Sequence, residues 1–123
     1  MVWRVSVFLL LAALGPVRAA PRWMVRTSTA AVCAAQAFDI ATTAVGERQG
    51  AREGNAAFRR ADGGVKWAGF APVKAGLCVG AIWIGARYGR RWPAAIAAVD
   101  AGLAAATIRA GARNLKVITA SPR

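Results

Sequence analysis

Residues 68–86 read AGFAPVKAGLCVGAIWIGA, nineteen positions with one charge, Lys74. A helix rising 1.5 Å per residue covers ~28 Å over that length, close to the ~30 Å of a bilayer's hydrocarbon core. Phe70, Leu77, Val79, Ile82, Trp83 and Ile84 supply apolar surface, and Pro72 falls in a first turn, where its missing N–H costs little. Two further stretches repeat the pattern on either side. Residues 27–45 carry one charge, Asp39; residues 93–110 carry Asp100 inside and Arg109 near the end, with Pro93 suited to a first helical position. The reading is all-α: a small helical membrane bundle of three transmembrane helices, about 27–45, 68–86 and 93–110, within a single membrane domain of residues 20–123. The outer two stretches are dominated by Ala, which contributes little to partitioning. An exported, soluble, Ala-rich helical binding module is therefore the competing reading.

Outward from the spans, residues 1–19 hold one early cation, Arg4, an apolar run over 5–14, Gly15-Pro16, and small residues at Val17 and Ala19. That is the layout of a secretory signal. Arg18, Arg22 and Arg26 crowd its end, where positive charge hinders export, so the segment is either a cleaved signal peptide or a retained N-terminal anchor. Both target the chain to the bacterial inner membrane.

Composition sets the outer bounds. The 123 residues carry 17 Lys/Arg against 5 Asp/Glu, a net charge of +12, and 57% are hydrophobic. With 31 Ala and 13 Gly, this is no disordered polar tail, disulfide scaffold or multi-domain enzyme. No His is present and the two Cys lie 45 positions apart, which excludes a zinc site of ordinary ligands and a His-based triad. The cations cluster at 18–26, 48–66, 87–91 and 109–123, flanking apolar blocks instead of striping one helix face. That placement suits loops beside membrane spans and not a nucleic-acid groove, so no nucleic-acid partner is expected. The expected partners are the lipid bilayer, other membrane proteins or further copies of the chain. Trp23, Trp67, Tyr88 and Trp92 sit just outside the span ends, at headgroup level.

Sidedness follows from loop charge. Segments 20–26 and 87–92 hold five cations (Arg22, Arg26, Arg87, Arg90, Arg91). Loop 46–67 and the tail after Ala110 hold eight (Arg48, Arg52, Arg59, Arg60, Lys66, Arg113, Lys116, Arg123), with Arg109 at the boundary. The positive-inside rule puts the long loop and the C-terminus in the cytoplasm, in a multi-pass topology. The Gly-rich loop 46–64 is expected to hold one short helical stretch over 55–60.

A few polar residues must be explained. A charge at mid-span costs about 2.5–3.5 kcal/mol, so Asp39 must face protein or water. Gln36, Asp39 and Thr43 share one helical face, which Thr29 and Val32 continue. Asp39 lies six residues before Val45, and Lys74 six residues after Ala68. Both are thus ~9 Å below the same surface, and an Asp39–Lys74 ion pair is the economical arrangement. Otherwise Lys74 snorkels to the headgroups and Asp39 is protonated or hydrated. Asp100, near mid-span, is a second candidate partner for Lys74 or a titratable group. Gly76 and Gly80, then Gly102, Ala106 and Ala110, give small-residue spacings that permit close helix approach. Cys33 and Cys78 read as small packing residues instead of a disulfide, because Cys33 is placed near the outer side and Cys78 near mid-span.

Asp39, Thr42 and Thr43, then Glu53 and Asn55, then Lys74 form an ordered series. It resembles a family of small, uncharacterised bacterial multi-pass membrane proteins with Asp and a Ser/Thr-Thr pair near the end of a first span. In that family a Gly-containing linker, Glu-x-Asn-Pro and a Lys-bearing span follow. The likeness covers about residues 27–112; Ala56 stands where the family usually has Pro, so a turn after Asn55 rests on Asn and Gly chemistry. The resemblance implies a multi-pass membrane fold and adds no catalytic residue. In the loop, Asn55 is placed to cap a short helix and Glu53 to pair with nearby Arg or reach toward Lys74.

No phosphate loop, nucleophile elbow or paired-carboxylate site can be assembled, so neither an enzyme nor a cofactor is expected. The reading is a structural or accessory membrane protein. The alternatives are an oligomeric pore or transport component using Asp39 and Asp100, and the soluble module above.

Overall fold

The structure, a computed structural model, describes residues 21–120. The signal or anchor at 1–19 lies outside these residues. Three helices run Arg22–Arg48 (α1), Trp67–Tyr88 (α2) and Pro93–Ala120 (α3), with a 3-10 turn, Ala56–Phe58, in the first link. Among the described residues, β pairing is confined to an isolated antiparallel bridge between Arg59 and Val65.

Local chemistry sets the ends. α1 stops where Gly50 adopts φ +80°, a left-handed conformation that favours glycine. The Gly50 N–H reaches the Glu47 carbonyl and the Ala51 N–H reaches that of Gly46, both at 2.9 Å, which closes a Schellman cap. Pro93 opens α3 after a turn over residues 89–92, its fixed φ matching the first helical position. α1 and α3 run well past the apolar stretches read from sequence. Hydropathy ends at a charge, but Arg, Lys and Leu propagate a helix nearly as well as Ala. Pro72 lies deeper than expected, inside α2 beyond its first turn, and removes one backbone donor there.

The helices run up, down, up. Cys33 meets Cys78 and Asp39 meets Lys74, so α1 and α2 are antiparallel. Ser28 meets Asp100 and Thr43 meets Asn114, so α1 and α3 are parallel. α1 is the central helix, packing most extensively on α3 and next on α2, while α2 and α3 touch least. We call the end holding loop 49–66 the loop end, and the end holding turn 89–92 the turn end.

The apolar core is made of small residues, Val32, Ala35, Ala81 and Ala104, with Leu103 packed against them. Close approach depends on two glycines. A Cβ on Gly111 would run into the Phe38 ring, and one on Gly85 would come within 3.1 Å of the Thr29 hydroxyl. The glycines of the small-residue spacings behave otherwise: Gly76, Gly80 and Gly102 have nothing within 4 Å of a built Cβ, so they face away from the helix contacts.

Polar residues share the interior with the apolar core, and large apolar ones lie outside. Gln36, Asp39, Thr42, Thr43, Asp100 and Thr107 are buried, while Val79 (63%), Trp83 (60%), Val99 (70%) and Ile108 (50%) are largely exposed. α2 and α3, at 22 and 28 residues, are long and apolar enough to cross a membrane. α1 is not among them, because its inner face carries the polar residues.

The cysteines correct the sequence reading: Cys33 and Cys78 form a disulfide joining α1 to α2. Their depths nearly agree even from the span ends read in the sequence, six residues from 27 for Cys33 and eight from 86 for Cys78. Counted from the turn end, Cys33 is eleven residues into α1 and Cys78 ten residues before Tyr88, so the two are level.

Candidate functional site

The site grows from a single seam on α1. Thr29, Gln36 and Thr43 recur at seven-residue intervals, as do Asp100, Thr107 and Asn114 on α3. Seven residues are close to two helical turns, so each series lines one face, and parallel packing sets the two in layers. In the first layer the Ser28 and Thr29 hydroxyls donate to Asp100 Oδ2 at 2.8 and 3.2 Å. In the second, Gln36 Nε2 donates to Thr107 Oγ1 at 3.0 Å. In the third, the Asn114 amide is shared among Thr43 Oγ1 (3.1 Å), Thr42 Oγ1 (3.3 Å) and Asp39 Oδ1 (3.5 Å). Thr42 also donates to the Phe38 carbonyl at 3.0 Å, which meets its own donor's need inside the helix. Gln36 Oε1 is buried and has no hydrogen-bond donor among the described residues.

The third layer carries the charge. Lys74 Nζ lies 2.7 Å from Asp39 Oδ2, and the two side chains are 15% and 5% exposed. Lys74 also sits 5.4 Å from the centroid of the Phe70 ring, whose negative face favours a cation. Phe70 is held edge-on by Phe58 and Trp67, with centroids 5.3 and 5.4 Å away. Asp39 thus gives one oxygen to Lys74 and the other, at a long 3.5 Å, to Asn114.

Asp100 does not approach this group. It belongs to the layer of Thr29, ten residues and ~15 Å along α1 from Asp39, so its candidacy as a Lys74 partner is corrected by the register.

The loop folds onto the same end. Asn55 Oδ1 accepts from the Ala57 N–H at 3.0 Å and caps the 3-10 turn, which is shorter than the stretch read from sequence. Glu53 accepts from the Asn55 N–H at 2.7 Å and, among the described residues, forms no ion pair with an Arg or with Lys74. The side chain that ties the helices is Glu47, which accepts from the Val65 N–H at 2.8 Å and from the Trp67 indole N–H. Those two bonds, the backbone one first, hold its carboxyl below the ordinary range. Asp62 binds Arg60 and accepts from the Gly64 N–H at 2.9 Å; Arg60 first and that N–H second lower its pKa from 3.8 to about 2. Thr42, Thr43 and Asn114 meet the loop's Arg52 and Glu53 around a cavity of about 40 Å³.

Sequence reasoning singled out Asp39, Thr42, Thr43 and Lys74, which the fold brings together, Glu53, which shares a small cavity with Thr42 and Thr43, and Asn55 and Asp100, which lie elsewhere. It missed Asn114, Thr107 and Glu47. The sevenfold spacing from Asp100 would have found the first two. No family model, curated protein or solved structure matches the chain.

Proposed function

We propose that this chain is a small multi-pass membrane protein of structural or accessory type, with an intramembrane polar seam holding its helices together. The observation that carries the reading is the 2.7 Å Asp39–Lys74 contact inside a bundle whose outer surface is apolar. In hydrocarbon an unpaired charge is expensive, and helices gain nothing by hiding apolar side chains from one another. Polar groups inside and Val, Ile and Trp outside meet both conditions. α1 becomes a span in company: its seam is covered by α2 and α3, although alone it is too polar.

Two features support a loop end in the cytoplasm of a bacterial cell. Cations are more numerous there. Cys33 also lines a cleft that includes Arg22 and Arg90 of the turn end, and a disulfide belongs with an oxidising, exported side.

The test compares Asp39→Asn, Lys74→Met and the double variant for abundance in alkali-washed membranes. Each single change leaves a buried partner uncompensated, worth about 3–5 kcal/mol, and should deplete the protein, while the double change should restore it. Undiminished abundance in the single variants, together with loss of an ion or proton flux, would favour the pore reading. Release of the wild type by alkaline carbonate would end the membrane reading.

A further inference from the structure

At the turn end, α1 and α2 part around a cleft of about 520 Å³, within the ~300–1,000 Å³ range of small-molecule sites. Its walls are apolar and small, including Val25, Ala30, Ile82 and Ala86. Cys33 also lines it, so the disulfide fixes the helix separation there and the cleft is preformed. Arg22, Arg26 and Arg90 line it as well; no described Asp or Glu lines it, and Asp100, behind the wall, is engaged by the hydroxyls of Ser28 and of the lining Thr29 at 2.8 and 3.2 Å. Neither of the ion pairs among the described residues involves these three guanidinium groups. Exposed Trp23, Tyr88 and Trp92 are neighbours in sequence and lie at the same end, which sets the three arginines at headgroup depth once the helices cross a bilayer.

We propose that this cleft binds an anionic phospholipid, with its phosphate among Arg22, Arg26 and Arg90 and one acyl chain against Ala30, Ile82 and Ala86. Guanidinium groups match phosphate oxygens in paired hydrogen bonds, and apolar walls beside the cations suit a chain joined to the phosphate better than a free ion. The inference rests on the membrane reading above.

The test uses the full chain in vesicles of equal phosphatidylglycerol and phosphatidylcholine, extracted in mild detergent, with retained lipid counted by native mass spectrometry. The wild type should retain phosphatidylglycerol over phosphatidylcholine by on the order of fivefold or more. Arg22→Gln/Arg26→Gln/Arg90→Gln should bring that ratio near one, and Ala86→Trp should lower retention of both lipids. Arg109→Gln/Arg113→Gln/Lys116→Gln, at the other end, should leave the ratio unchanged. An intact Cys33–Cys78 disulfide, read by mass, identifies folded variants. Equal retention of the two lipids by the wild type would overturn the proposal. So would displacement by millimolar inorganic phosphate alone, or a cross-link between two chains through Ala86→Cys, which would seat a second copy in the cleft. Release of the chain from vesicles by carbonate would mark failure of the membrane reading; firm retention without lipid preference would mark failure of the cleft alone.

Discussion

Thr43 on α1 and Asn114 on α3 are 71 positions apart in the chain and 3.1 Å apart in space. The same interval separates Gln36 from Thr107 and Thr29 from Asp100. One constant offset over three layers means that the two helices run parallel and keep register for about four turns. The seam therefore specifies alignment: a slip of one residue would break every layer at once, and each broken layer would strand buried polar groups.

Asn114 is the most connected member of the seam. Asn114→Ala should lower stability by about 1–2 kcal/mol, as hydrogen bonds between membrane helices do at the upper end of their range. Thermal unfolding in detergent measures it. Asn114→Ala added to Asp39→Asn should cost less than the sum of the two changes, because both remove the same contact.

Gly111 and Phe38 form a second, apolar point of register. Gly111→Val should destabilise by about 1–3 kcal/mol, because the new Cβ meets the Phe38 ring. Phe38→Ala in the same chain should relieve part of that loss. Equal melting of Gly111→Val and wild type would show that the parallel helices are not this close.

The disulfide closes a 45-residue separation. Its removal in Cys33→Ala/Cys78→Ala should cost about 2–4 kcal/mol. Wild-type protein made in cells lacking the disulfide-forming machinery of the exported compartment should be recovered with free thiols and the same reduced stability. A disulfide formed undiminished in such cells would contradict the sidedness.

The loop clasp has a pH dependence with a definite sign. Glu47 and Asp62 titrate below their ordinary values because N–H and guanidinium donors favour the carboxylate. A depressed folded pKa gives stability that is present above the unfolded value, about 4, and lost as pH falls through the folded one. Amide protection at Gly64 should therefore hold at pH 5 and disappear as the pH approaches about 2, the value for Asp62, while protection at Val65 should be lost once the pH falls below the ordinary glutamate range. Glu47→Gln should weaken protection at Val65 even at pH 6, while Asp62→Asn should affect Gly64.

The sequence showed some of this readily. Three Ala-rich apolar stretches mark three helices, and equal depths from the span ends lead to Asp39 and Lys74, which the fold sets 2.7 Å apart. Asn114 was hidden because hydropathy stops at Arg109, whereas the helix continues to Ala120. The disulfide was legible in depth but not read: Cys33 lies six residues in from 27 and Cys78 eight before 86, a difference of ~3 Å, which the true helix ends reduce to one residue. Glu47 drew no notice in the sequence, since its partners, Val65 and Trp67, arrive only after an 18-residue link has folded back. Span edges follow hydration of side chains, helix edges follow backbone capping, and this chain separates the two.

The central claim is that lipid surrounds the bundle and that its polar groups face inward. Single cysteines at Val79 and Ile108, both exposed on the outer surface, test it directly, since the two native thiols are tied up in the disulfide. In intact cells or sealed membranes, neither Val79→Cys nor Ile108→Cys should react with a membrane-impermeant maleimide, while Arg90→Cys should react from outside and Arg60→Cys only once the cytoplasmic face is opened. Rapid labelling of Val79→Cys and Ile108→Cys in sealed membranes, at the rate of a water-exposed thiol, would contradict the account.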